Sequence, residues 1–351
     1  MSVQLTYNNL GDSGLKVSPL IVGCMGFGSS QWADWVNEDE EECMKILKKC
    51  YDNELRTFDT ADVYSNGKSE IILGKFLKKY NIPRDKVVIL SKCFFPVNEN
   101  DPGFMPMKPN DYSPADLYNS KGLSRKHIIE AAQNSVKRLG TYVDVLQIHR
   151  LDSTTPKKEI MKALNDVVEQ GLTRYIGASS MKATEFAQLQ FIAEQNGWFK
   201  FISMQNYYNL LYREEEREMI PFCQTNDFGK VAIIPWSPLA TGVLARPANV
   251  KSESKRGDDD GGILKMLGLD NLKDNEKEIL NRVEELAKKH DVSMAVIAIA
   301  WALKKGCNPI VGVSSVKRVD DNVRAANLKL TDEEAKYLEE PYQPKRELAW
   351  V

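Results

Sequence analysis

No apolar run in this sequence approaches the roughly 18 residues that a membrane span needs. The opening stretch MSVQLTYNNLGDSGLKVSPLIVG has no basic region followed by an apolar one, so a secretory signal is not expected and a cytoplasmic location is. Charge of one sign is also missing. Lys and Arg number 47 against 49 Asp and Glu, a net of −2, too little for a global field that would draw the chain onto nucleic acid or anionic lipid. Any ligand must be recognised locally. Histidine is scarce, at three residues (His127, His149 and His290), and the six cysteines (Cys24, Cys43, Cys50, Cys93, Cys223 and Cys307) form no CxxC pair. Without an HExxH motif or a Cys/His cluster, a zinc site is not expected. The cysteines read as reduced thiols.

What is present is 351 residues, 42% hydrophobic and 27% charged, a composition suited to a folded chain with a large core. Short β-branched or apolar runs alternate with longer amphipathic ones, the signature of βα units around a parallel sheet. The candidate strands are PLIVGCM from Pro19, RTFDTA from Arg56, VVILSKC from Val87, DVLQIH from Asp144, RYIGAS from Arg174, FISMQ from Phe201, VAIIPW from Val231 and PIVGV from Pro309. Between them fall helical stretches. SRKHIIEAAQNSVKRLG has Ser124 as N-cap and Gly140 past its end; PKKEIMKALNDVVEQG has Pro156 in its first turn and Gly171 at its stop; REEEREMIPFCQTND reads as one further helix. Eight strands, each followed by a helix, are the count of a (β/α)8 TIM barrel, an α/β fold that takes this much chain as one domain, here residues 1–351. QLTYNNLGDSGLKVS precedes the first unit and its DSG turn predicts an N-terminal β-hairpin outside the barrel. Residues 94–122 and 240–274 break the rhythm after strand ends, and are expected to be irregular loops that shape an active site.

Barrel active sites are built on the C-terminal ends of the strands, and here those ends carry polar groups. The first strand ends at Gly23-Cys24-Met25, the second at Asp59, the third at Lys92 and the fourth at His149. The fifth ends at Ser179-Ser180, the sixth at Gln205, the seventh at Trp236-Ser237 and the eighth at Gly312 to Ser314. Tyr64 follows Asp59 on the adjoining loop. Each residue has a plainer use: Asp59 as a helix cap, Lys92 as a solvated lysine, His149 as a hydrogen-bonded core residue, Tyr64 as loop packing. Together they form a machine for reducing a carbonyl. Hydride delivery to the carbonyl carbon leaves charge on oxygen, where a proton donor must wait. Tyr64 can supply that proton. An adjacent Lys92 ammonium is expected to lower the phenol from its usual value of about 10, with Asp59 holding the lysine charged and His149 orienting the carbonyl oxygen.

With these residues in hand, the chain closely resembles the aldo-keto reductases, a (β/α)8 family that uses NADPH without a Rossmann domain. The match runs along essentially the whole length through FDTADVYSNGKSE, ILSKCFF, SVKRLGTYVDVLQIHRLD, RYIGASS, SMQNYYNLL, IIPWSPLATGVL and PIVGVSSVKRVDDN. Within the family it looks most like the fungal aryl-alcohol dehydrogenase-like reductases. The resemblance implies Tyr64 as general acid tuned by Lys92 and Asp59, with His149 orienting the substrate. It implies NADPH (NADP+) held by Ser179, Ser180 and Gln205 at the carboxamide and Trp236 stacked on the nicotinamide ring. Ser237, Leu239 and Gly242 would follow the pyrophosphate. Arg318 and Asn322 would meet the 2′-phosphate and adenine, with Ser314, Lys317 and Gly312 nearby, and Gly23 and Met25 would complete the cofactor's surroundings.

The substrate expected is a small-molecule carbonyl, an aromatic or other bulky aldehyde or a ketone, with Trp32 and Trp35 as candidate walls of an aryl pocket. The alternative is a cofactor-binding regulatory subunit resembling potassium-channel β subunits; a metal-dependent hydrolase would need ligands that this chain does not gather. GCMGFG at Gly23 to Gly28 opens no helix at its third glycine and is not a Rossmann fingerprint. The DDD run at residues 258–260 reads as a solvated loop tip, and Asp62 as a loop residue with no assigned role. Nothing in the pattern sets an oligomeric state.

Overall fold

Eight short parallel strands follow one another around the structure, a computed structural model that describes residues 5–105, 112–225, 227–250 and 261–348. They are β3 (Ile21–Gly23), β4 (Thr57–Asp59), β5 (Val88–Cys93), β6 (Val143–Ile148), β7 (Thr173–Ser179), β8 (Phe201–Gln205), β9 (Ala232–Ile233) and β10 (Ile310–Gly312). Each pairs with its sequence neighbour, and β10 returns to pair with β3. The backbone N–H groups of Asn308 and Ile310 donate to the carbonyls of Ile233 and Pro235 at 2.9 and 2.8 Å, so the two ends of the sheet also meet and the barrel closes. Its strands are buried almost throughout, as a parallel sheet wrapped in helices demands.

The helices start and stop where the chain's chemistry directs. Ser124 accepts from the His127 N–H to open the helix Arg125–Leu139, and Gly140, at φ 69°, ends it. Pro156 differs slightly from its expected place: it is the extended residue before the helix Lys157–Glu169, not part of its first turn. The stretch expected as one helix from Arg213 splits into a 3-10 turn, Glu214–Glu216, and a short helix, Met219–Gln224. Pro221 cannot donate a backbone hydrogen bond, so it is tolerated only in a helix's first turn. Four helices beyond residue 270 complete the ring: Asp274–Lys289, Met294–Lys304, Val316–Asn327 and Asp332–Glu339. Among the described residues of the two irregular segments there is one helical turn at Pro114–Leu117, a 3-10 stretch at Ala240–Ala245 and a short helix at Gly261–Met266; the acidic run at 258–260 lies outside the described residues. Among the described residues no helix is long and apolar enough to cross a membrane.

The hairpin of β1 (Asn8–Asn9) and β2 (Lys16–Val17) forms as expected and plugs the N-terminal mouth of the barrel. Leu10 and Val17 cluster with the strand residues Ile21, Leu90 and Val145 and with Ile234 just past β9. Gly11 makes the approach possible: it has φ +62°, and a Cβ there would fall 2.5 Å from the Lys230 carbonyl oxygen. The plug leaves the opposite mouth for chemistry.

The C-terminal segment straps the outside of this mouth. Tyr342 donates to Glu214 at 2.6 Å, and the Leu348 N–H donates to the Tyr212 hydroxyl at 3.1 Å. Beneath the strap, Glu215 is buried and accepts from the Asn206 side chain at 2.6 Å. Burial, with help from Glu347 and Glu214, pushes its carboxyl from 4.5 up to about 8 against the pull of that bond. A carboxyl raised in the folded state contributes its stability below its unfolded value and loses it as pH climbs through the folded one. Thermal melts of Glu215→Gln are therefore expected to change less than wild type between pH 5 and 9 and to lie about 3 °C or more above it at pH 9. Parallel melting curves for the two proteins would mean that Glu215 is ionised throughout.

Candidate active site

At the C-terminal mouth, β4 ends on Asp59, β5 brings Lys92 level with Gln147 of β6, and His149 follows one residue past β6. Lys92 is fully buried. Its ammonium has three donors, and three acceptors surround it: Asp59 Oδ2 at 2.6 Å, the Thr60 carbonyl at 2.9 Å and the Tyr64 hydroxyl at 3.1 Å. Asp59 is equally occupied, its Oδ1 accepting from Gln147 Nε2 at 3.1 Å and Gln205 Nε2 at 3.0 Å. A buried ion pair of this kind persists only when its remaining bonds are made, and here they are. Because Lys92 donates to the Tyr64 oxygen, the phenol's own proton is left to point elsewhere.

The electrostatics depart from expectation in one respect. Burial disfavours the Lys92 charge, yet Asp59 and Tyr64 outweigh it, and the ammonium's pKa is raised. The Tyr64 phenol is also raised, where the sequence led us to expect it lowered. Lys92 does pull it down, but losing hydration costs the phenolate more, and Asp59 opposes the lysine's effect. Tyr64 is therefore a protonated donor at neutral pH. His149 is held well below the usual imidazole value by burial and by the Lys92 and Arg150 charges, so its ring is neutral. Its Nδ1 is buried with no partner among the described residues. An orphan lone pair is tolerated better than an orphan N–H, which puts the ring hydrogen on Nε2.

Aromatic side chains enclose this group. Phe95 meets the His149 ring edge-on with centroids 5.1 Å apart, Tyr64 meets it at 5.9 Å, and Trp32 lies 6.3 Å from Tyr64 with Trp35 6.1 Å beyond. Met25 packs on the same cluster. Of the two candidate tryptophans, Trp32 stands beside the phenol and Trp35 backs it from the far side.

The residues expected around a nicotinamide cofactor line the other half of the mouth. Ser179 donates to the Gln205 carbonyl at 2.9 Å, and the Ser180 hydroxyl accepts from Trp236 Nε1 at 3.2 Å. The Trp236 ring rests on Tyr207 at 4.7 Å. Both N–H groups of Gln205 are engaged, one by Asp59 and one by Gln147 at 3.0 Å, so it can serve a carboxamide only as an acceptor. Ser237, Ala240, Thr241 and Gly242 all have left-handed backbones, and with Leu239 they bend the chain into a tight cradle. Gly23 and Gly312 are register partners on β3 and β10. Beyond them Ser314, Lys317 and Arg318 are exposed, while Asn322 is buried with its Nδ2 unpartnered among the described residues. An exposed cationic rim beside an amide unpartnered among the described residues fits a phosphorylated adenosine.

Sequence reasoning passed over several neighbours. Gln147 was detectable, since it stands two residues before His149 and so on the same face of β6. Asp62 proves more than a loop residue: it is 1% exposed, no side chain among the described residues bonds its carboxyl, and burial and the nearby Glu70 push it well above the usual range against the Val63 N–H and the Arg138 and Lys92 charges. Glu70 itself is buried between the Ser91 hydroxyl and Arg138, whose Nε lies 2.5 Å away.

A closed barrel with a buried Asp–Lys–Tyr chain at its C-terminal mouth has the build of a barrel oxidoreductase, and comparison with known proteins agrees. Residues 19–343 match the model of the aldo/keto reductase family, and the chain belongs to that family of enzymes. Its relatives include the "Putative aryl-alcohol dehydrogenase AAD16" of Saccharomyces cerevisiae, 57% identical over 338 residues, 96% of this chain and 97% of the relative. A "Putative aryl-alcohol dehydrogenase C977.14c" of Schizosaccharomyces pombe is 56% identical, covering 96% of each chain. The versiconal hemiacetal acetate reductase of Aspergillus parasiticus is 55% identical over 97% of this chain and 98% of its own.

Proposed function

We propose that this enzyme reduces aldehydes, aromatic or otherwise bulky, and ketones to alcohols with NADPH, Tyr64 serving as general acid. The observation that carries this reading is the bond from Lys92 to the Tyr64 oxygen, which leaves the phenolic proton free for a substrate oxygen. NADPH supplies the hydride when bound. His149, neutral with hydrogen on Nε2, donates a second bond to the carbonyl oxygen and orients it. As charge develops on that oxygen, Tyr64 gives up its proton, and Lys92 stabilises the phenolate that remains. Asp59 keeps the lysine aimed through the whole cycle. Trp32, Trp35 and Phe95 exclude water and offer flat apolar walls, which supports aryl substrates, as do the names of two relatives.

For the cofactor, Ser179, Ser180 and Gln205 would hold the carboxamide and Trp236 the nicotinamide ring. Ser237, Leu239 and Gly242 would follow the pyrophosphate, and Arg318, Asn322, Ser314 and Lys317 the 2′-phosphate and adenine, with Gly23, Met25 and Gly312 bordering the site. The proposal is tested by following nicotinamide absorbance with benzaldehyde under NADPH and NADH in parallel. Turnover with NADPH, much weaker with NADH, is expected; no turnover with any of a panel of aldehydes and ketones would refute it. A charge-assisted bond is worth about 1.5–3 kcal/mol. Arg318→Leu is accordingly expected to raise the KM for NADPH roughly 10- to 100-fold while leaving that for NADH nearly unchanged, and an equal effect on both would remove Arg318 from the phosphate.

A further inference from the structure

Tyr64 leads into three consecutive left-handed residues, Ser65 (φ 48°), Asn66 (φ 51°) and Gly67 (φ 91°). Such a run is costly and persists only where its surroundings enforce it. Each member is tied to a different part of the molecule. Ser65 Oγ accepts from the Ser29 N–H at 3.1 Å, and Gly67 leaves room for the Arg138 stem, 2.5 Å from where a Cβ would be. Asn66, 3% exposed, reaches into the loop after β5: Nδ2 donates to the Phe104 carbonyl at 2.9 Å and the Asp101 carbonyl at 3.2 Å, and Oδ1 accepts from the Asn98 N–H at 3.2 Å. One amide thus uses both donors and its acceptor on a loop whose second residue is Phe95, the ring packed on His149. Inside that loop, Asp101 and Asn98 both bond Tyr112, which packs edge-on against buried Phe104.

We propose that Asn66 is a positioning residue that makes the loop walling the substrate pocket and the turn carrying Tyr64 one mechanical unit. Order in the loop then sets the aim of the proton donor, and a substrate that seats Phe95 also seats Tyr64. This rests on the reading of Tyr64 as general acid, but its mechanical half does not.

The test is Asn66→Gly, which keeps a residue at ease with φ 51° and deletes the three side-chain bonds. Amides of residues 94–105 are expected to exchange hydrogen about tenfold faster or more. The kcat for benzaldehyde is expected to fall roughly tenfold with the KM for NADPH unchanged, and the primary isotope effect with deuterated cofactor to rise as the chemical step becomes slower. Asn66→Asp, which turns a carboxylate oxygen toward the Phe104 and Asp101 carbonyls, is expected to loosen the loop at least as much, and Asn66→Ser, whose shorter side chain withdraws from both, carries the test if the glycine variant misfolds. A lowered melting temperature with loop exchange, kcat and isotope effect all as in wild type would overturn the proposal. If wild type itself reduces no carbonyl, the reductase reading fails, and the exchange measurement still decides whether Asn66 couples the two segments.

Discussion

Tyr64→Phe is expected to lower kcat/KM for aldehyde reduction by about three orders of magnitude while the protein stays folded and still binds NADPH. The substitution removes one oxygen from a ring that keeps its packing against Trp32 and His149. What it deletes is the proton donor, and general acid catalysis is worth about 10²–10⁴ in rate. His149 cannot take over, because its ring is already neutral, and the N–H of a neutral imidazole is a much weaker acid than a phenol. The fold should suffer little, since Lys92 keeps Asp59 and the Thr60 carbonyl as partners. Steady-state kinetics beside a cofactor titration separates these effects: a variant retaining a tenth or more of wild-type kcat/KM would take the general acid away from Tyr64.

Lys92→Met is expected to damage both stability and activity, and the two losses have separate causes. With the ammonium gone, Asp59 is left as a buried carboxylate that keeps the Gln147 and Gln205 amides but no opposite charge among the described residues. Breaking a buried pair from one side costs about 3–5 kcal/mol, which denaturant titration would register as a clear fall in the midpoint. Activity should drop at least about 100-fold in the molecules that remain folded, because the phenolate formed in the reaction loses its stabilising charge. The double variant Asp59→Asn, Lys92→Met removes the stranded charge as well. It should be more stable than Lys92→Met alone and no more active. A double variant no more stable than Lys92→Met would mean that the two side chains are not coupled.

Much of this site was legible in the sequence for a simple reason. Asp59, Lys92 and His149 each stand at the end of an apolar run, and in a barrel the ends of successive strands meet at one mouth, so linear order became spatial order. Tyr64 followed because it lies five residues after Asp59, too near to escape. What stayed hidden depends on depth and on contacts between irregular segments. The sequence puts Lys92 near Tyr64, yet only the structure shows that burial outweighs the lysine and raises the phenol. Gln147 shares a face of β6 with His149, a signal within the sequence, but its bond to Asp59 is visible only in the structure. Asn66 bonds backbone atoms of residues 98–104, a loop without periodicity that no pattern of side chains announces. The helix expected from Arg213 breaks a few residues ahead of Pro221, which is admitted only in the first turn of the short helix that follows.

The central claim is that the proton comes from a phenol held protonated beside a lysine, with a neutral histidine alongside. The most direct test is the pH dependence of kcat/KM for benzaldehyde with NADPH in the wild-type enzyme. A raised Tyr64 and a His149 already neutral predict a plateau across neutral pH, with no change near 6.5 and the loss confined to pH above about 10. Activity that falls away as pH rises through 6 to 7 would place the proton on a histidinium instead, and would contradict the account.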